Sequence, residues 1–151
     1  SIDRLNEIKS SGRIFFTVGN MEYLKHGGRI GKVASVAGSL LGIKPIITLK
    51  EGEIFPSGIG RSRRKTVDKT IDLLLAYLAE EKTDIADYSI CIGYGYDKEE
   101  AVEFRDRLVS RLKEKEYDID TIPIFQIGAT IGVHTGPYPL GIGVVKKSIR
   151  E

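Results

Sequence analysis

Apolar positions recur along this chain with two different periods, and the switches between them mark out most of its elements. Ile2, Leu5 and Ile8 fall at helical spacing until Ser10-Ser11-Gly12 interrupts them, which predicts a short helix. Arg13-Ile14-Phe15-Phe16-Thr17-Val18 then reads as a buried strand. Met21, Tyr23 and Leu24 fit a helical turn that stops at Gly27-Gly28, the chemistry of a helix C-terminus. The small, apolar stretch from Val33 to Leu41 predicts a second short helix packed closely on a neighbour. Ile43 to Lys50 and Glu53 to Ile59 flank Glu51-Gly52 like the arms of a hairpin, and Pro45 puts the first arm at an edge or a bulge.

Beyond the hairpin the two periods alternate. Val67, Ile71, Leu74, Leu75 and Leu78 predict a long amphipathic helix over Thr66 to Leu78. Tyr88 to Tyr94 reads as a strand, and Lys98 to Lys115 as a second amphipathic helix on Ala101, Val102, Phe104, Leu108 and Leu112. Ile119 to Ile127 is expected as a further strand, and Gly141-Ile142-Gly143-Val144-Val145 as the one that closes the sheet. A hairpin followed by alternating strands and helices implies an α/β fold: a two-layer mixed β-sheet with helices packed mainly on one face. No repeat or linker divides the 151 residues, so residues 1–151 are expected to form a single domain. The start at Ser1, without an initiator Met and directly in a charged amphipathic segment, suggests that upstream sequence has been removed.

Composition narrows the function classes only a little. A net charge of +2 is too small to argue for nucleic acid. The single cysteine, Cys91, excludes an internal disulfide framework and a CxxC pair, and within Ile90-Cys91-Ile92 it reads as a small buried hydrophobe. No window approaches about 18 consecutive apolar residues and no signal-sequence pattern opens the chain, so no membrane span and a cytoplasmic location are expected.

Two glycine-rich clusters carry the candidate chemistry. In Tyr23-Leu24-Lys25-His26-Gly27-Gly28-Arg29-Ile30-Gly31-Lys32, adjacent glycines let another group approach the main chain, while Arg29 and Lys32 supply charge for an anion. His26 reads as an exposed turn residue. The second cluster, Ile127 to Gly141, is expected to be a rigid loop presenting His134 and Thr135. His134 could donate to a carboxylate or phosphate, shuttle a proton, or serve structurally; no HxH or HExxH pattern completes a metal site.

Arg61-Ser62-Arg63-Arg64-Lys65 places four cations in five positions before the long helix, with Ser62 as a possible N-cap. Cations there oppose the helix dipole unless an anion or acidic partner compensates them, so the run reads as a docking surface or a solvated turn. It has no interleaved aromatics for nucleic acid. Gly93-Tyr94-Gly95-Tyr96-Asp97 lacks the third glycine of GxGxxG and reads as an ordinary strand-to-helix turn capped by Asp97. No P-loop, paired-carboxylate site or nucleophile with its base is evident, so no cofactor and no catalytic residue is expected.

The motifs Tyr23 to Gly31, then Gly38-Ser39-Leu40-Leu41-Gly42-Ile43-Lys44-Pro45-Ile46, then His134-Thr135-Gly136-Pro137, in that order, resemble the DegV family of fatty-acid-binding proteins. The resemblance spans nearly the whole chain and corresponds to the C-terminal domain of proteins roughly twice this length. It implies a non-enzymatic lipid-binding protein that works with an N-terminal α/β domain of the same protein, which supplies hydroxyls to the lipid carboxylate and has no counterpart here. It further implies that a long-chain fatty acid lies in an apolar tunnel and is presented to a separate ATP-binding kinase subunit of a bacterial fatty acid kinase, which makes an acyl phosphate for phospholipid synthesis. By resemblance, Arg29, His134 and Thr135 sit near the carboxylate. Leu24, Ile30, Leu40, Leu41, Ile43, Ile46 and Ile131 are the candidate tunnel walls, and Arg61, Arg63 and Arg64 the candidate kinase-docking patch. Two other readings stay open from the residues: an enzyme of small carboxylated or phosphorylated metabolites with His134 as general acid or base, and a regulatory module docking through Arg61 to Lys65.

Overall fold

The computed structural model describes residues 2–37, 44–82, 84–119 and 121–147. Helix α1 (Ile2–Ser11) leads into strand β1 (Arg13–Thr17) and then helix α2 (Glu22–His26). The Val33 to Leu41 stretch begins as a 3-10 turn over Gly31–Val33 and one turn of helix α3 (Ala34–Ala37), and residues 38–43 lie outside the described residues. Strands β2 (Lys44–Lys50) and β3 (Glu53–Gly60) form the expected hairpin. Helix α4 (Arg63–Glu81), strand β4 (Tyr88–Tyr94), helix α5 (Lys98–Glu114), strand β5 (Ile124–Gln126), helix α6 (Ala129–Thr135) and strand β6 (Leu140–Lys146) complete the chain.

The six strands form one mixed sheet in the order β3-β2-β1-β6-β4-β5. Every pairing is antiparallel except β4 with β5, which are joined through α5 as a parallel crossover. The last strand therefore does not close the sheet at an edge: β6 is inserted between β1 and β4. The expected Ile119 to Ile127 strand shrinks to Ile124–Gln126. Pro123 has no N–H for the ladder and contributes only its carbonyl, which accepts from Ile92 N at 2.9 Å, so regular pairing starts after it. Pro45 sits in a strand flanked on both sides, and the irregularity it foreshadowed is the register shift between Ile46 and Ile47 against β3.

The helix-covered face holds the main core. Val67, Ile71, Leu74 and Leu78 of α4 and Ala101, Phe104, Leu108 and Leu112 of α5 pack against Phe15, Ile90, Ile92, Leu140, Ile142 and Val144 of the sheet. Strand alternation sends the intervening residues Ile14, Phe16, Cys91, Gly93, Gly141 and Gly143 to the opposite face. A smaller cluster of Val18, Leu24, Val33 and Ile47, joined by Phe16, Met21, Ile30 and Ile54, fills one end of that opposite face. No helix of the described residues is long and apolar enough to cross a membrane.

Candidate functional site

The two glycine clusters come together in space, and each supplies a glycine to the other's ring. Helix α2 ends in a Schellman arrangement: Arg29 N donates to Leu24 O at 2.9 Å and Gly28 N to Lys25 O at 3.2 Å, with Gly28 at φ 65°. The amides of Gly27, Gly28 and Arg29 are therefore spent on the helix's own carbonyls, and this glycine pair is not a backbone nest for an anion. What approaches the main chain is a side chain of α6, since a Cβ at Gly27 would fall on His134 Nδ1. Reciprocally, a Cβ at Gly136, where the chain leaves α6 at φ 72°, would lie 2.5 Å from Tyr23 Cδ2.

The second cluster is thus a helix where a loop was expected. Gly128 caps it, and the Gly136 amide returns to Gly132 O at 2.9 Å. Among the described residues His134 Nδ1 is buried and has no hydrogen-bond partner. Thr135 is buried, and its hydroxyl donates to Gly136 O at 3.1 Å.

Thr135 and Ile131 border an apolar cavity of about 220 Å³ on the sheet face opposite α4 and α5, with Phe16, Gly93, Ile127 and Gly141 around it. A second cavity of about 590 Å³ continues along the same face past Phe125 and Val145 to a charged rim of Lys9, Arg13 and Glu51. Ile14, Leu49, Cys91 and Gly143 line both. Cys91 is accordingly half-buried on this face, where the sequence suggested a core position, and burial pushes its thiol pKa up.

The remaining candidates scatter. Arg29 is exposed, and among the described residues its side chain makes no hydrogen bond or ion pair, whereas Lys32 is held by Glu53 at 3.1 Å. His26, expected in a turn, is instead the exposed last residue of α2, its Nε2 3.8 Å from Glu22 Oε2. Leu24 and Ile30 belong to the smaller cluster beside the cavity. Ile46 is fully buried opposite Thr17, on the helix-covered face, and Leu40, Leu41 and Ile43 lie outside the described residues. Ile131 alone of the seven wall candidates borders the first cavity among the described residues. The walls that sequence reasoning missed are above all Ile14, Phe16 and Leu49, strand residues on the face away from the main core, and Ile127, just beyond β5. The available signal was Gly141 and Gly143 two apart in an apolar strand, a spacing that bares one face.

Of the basic run, Arg61 and Arg64 are exposed, while Arg63 grips Glu100 with Nη2 to Oε1 at 2.8 Å and Nε to Oε2 at 3.1 Å. The acidic compensation that the run required thus comes from α5 of the same chain. Ser62 caps α4, accepting from Lys65 N at 3.3 Å, and Asp97 caps α5, accepting from Glu100 N at 3.1 Å. No cluster of His, Cys, Asp and Glu among the described residues could hold a metal ion.

Comparison with known proteins adds to this geometry. A family model described as "Uncharacterised protein, DegV family COG1307" matches residues 1–147. A DegV domain-containing protein of Clostridium perfringens is 34% identical over 147 residues, covering 97% of this chain and 49% of that protein. A stearic acid-binding protein of Eubacterium ventriosum superposes with a TM-score of 0.84 at 41% identity, over 97% of this chain and 48% of the other. A fatty-acid-binding DegV family protein of Thermus thermophilus gives 0.83 at 25% identity, over 97% and 49%. The chain spans about half the length of these relatives.

Proposed function

The chain belongs to the DegV family, and we propose that it forms one wall of a fatty-acid site, with the acyl chain along the sheet face opposite α4 and α5 and the carboxylate at the α2–α6 junction. The observation that carries this reading is the apolar cavity bordered by Ile131 and Thr135 of α6, the helix whose His134 packs against Gly27 of α2. The ligands named for the Eubacterium and Thermus proteins support it. Nε2–H of His134 donates to the carboxylate, Arg29 swings in as a charge-assisted donor, and Thr135 turns its hydroxyl from Gly136 O toward the head group. Burying about fourteen methylenes at roughly 0.8 kcal/mol each gives on the order of 11 kcal/mol before ordering costs, so the tail dominates affinity and the polar groups set orientation. A small polar metabolite would leave this apolar surface unfilled, which disfavours the enzyme reading.

In the same reading this chain is the C-terminal domain of its protein, an N-terminal domain covers the open face and adds hydroxyls to the head group, and the site is cytoplasmic. The bound acid is presented to a separate ATP-binding kinase subunit for acyl phosphate formation. Exposed Arg61 and Arg64 are the docking cations, and Arg63 positions their helix through Glu100. Native mass spectrometry of the protein at its natural full length should recover a long-chain fatty acid, and a combined Arg29→Ala and His134→Ala variant should lose it. Recovery of no lipid, or full retention by the double variant, refutes the reading.

A further inference from the structure

Building on the fatty-acid reading, we infer that Gly143 is the position that sets how long an acyl chain this protein accepts. Strand pairing places Leu49, Ile14, Gly143 and Cys91 in one crosswise row over four neighbouring strands, all on the face opposite α4 and α5. These four residues line both cavities, so the row is the saddle over which the smaller one, bordered by Thr135, opens into the larger one. Ile14, Leu49 and Cys91 flank the saddle with side chains. Only Gly143 leaves it low.

The fold does not require that glycine. Gly141, two residues earlier, has to lack a side chain, because a Cβ there would meet Phe15 O at 2.5 Å. Gly143 has no such neighbour: a Cβ would meet only Cys91 Sγ, at 3.1 Å, which a small thiol shift relieves. Its φ is not in the positive region that glycine serves either. A glycine inside a central strand forfeits strand propensity and packing, so one that neither sterics nor backbone conformation demands marks space kept for another group. The larger cavity beyond, with Phe125 and Val145, is where the tail of a long, unbranched chain goes after crossing the saddle. A chain short enough to end in the first cavity never reaches it.

The test uses the protein at its natural full length, with octanoate and octadecanoate as probes in calorimetric titrations. Gly143→Val suits a strand, raises the saddle and should lower the octadecanoate-to-octanoate affinity ratio at least tenfold relative to the parent. An unchanged ratio in a folded Gly143→Val protein overturns the inference and leaves the fatty-acid reading standing, whereas a parent that binds neither acid overturns both. Should Gly143→Val not fold, Gly143→Ala takes its place. Its octadecanoate-to-octanoate ratio should fall severalfold relative to the parent, and an unchanged ratio overturns the inference.

Discussion

His134 meets Gly27 edge-on through Nδ1, which is buried there and, among the described residues, has no hydrogen-bond partner. Because Gly27 has ordinary helical angles, φ −78° and ψ 0°, its glycine is required by the neighbouring ring and not by its own backbone. Gly28 is the reverse case, with φ 65° and nothing within 4 Å of its missing Cβ. Gly27→Ala is therefore expected to displace His134 and weaken fatty-acid binding by about tenfold or more, the loss of one hydrogen bond to a charged group. Gly28→Ala should instead cost about 1–2 kcal/mol of stability for the left-handed conformation, with affinity preserved in the folded fraction. Titration with a fluorescent fatty acid, alongside urea unfolding, separates the two effects.

Gly136 combines both constraints, a φ of 72° and the Tyr23 ring at 2.5 Å. Gly136→Ala is expected to cost more stability than Gly28→Ala and to loosen α6 from α2. Hydrogen exchange should show faster exchange at the amides of α6 than in the parent, and an unaltered α6 would argue against reciprocal docking of the two helices.

Helices α4 and α5 are tied by three ion pairs, Arg63–Glu100, Arg107–Asp68 and Arg111–Asp72, at 2.8, 2.8 and 2.7 Å. The first is two-pronged and mostly shielded, with side-chain exposures of 24% and 28%, whereas Asp72 in the last is 59% exposed. Glu100→Gln should lower unfolding free energy by about 1–3 kcal/mol, and Asp72→Asn by about 0.5 kcal/mol or less. Equal urea midpoints for the two variants would contradict that ranking.

Alkaline pH should destabilise the fold through two groups. Burial raises the pKa of Tyr77, helped by Tyr88 and Glu81, above its ordinary 10.0, and burial raises that of Cys91 above 9.0. The folded state then holds these protons more tightly than the unfolded chain, so their contribution is complete below the ordinary values and is lost as pH climbs through the raised ones. Urea midpoints of the parent should fall above about pH 9, and a Cys91→Ala, Tyr77→Phe variant should fall less steeply over the same range.

Periodicity made α4, α5, β4 and the hairpin legible, because each buries one face against the rest and its apolar spacing records that face. Caps at Ser62 and Asp97 were legible for the same local reason. Helix α6 was not: Gly128, Gly132 and Gly136 read as loop residues, and its helicity comes from docking onto α2, which local propensity does not encode. Arg63 likewise read as a free docking cation, because its acid is 37 positions away on another helix.

From the sequence alone came most of the elements, the mixed α/β class, and the candidate motif residues Arg29, His134 and Thr135, since each is written in short-range spacing or in a local motif. Strand order was decided only in three dimensions. Insertion of β6 between β1 and β4 is a long-range pairing, and it sets Gly141 and Gly143 beside Ile14, Phe16 and Cys91 to open the cavities. The meeting of Gly27 with His134 is of the same kind. Two motifs more than a hundred residues apart meet because a glycine in each leaves room for a ring from the other.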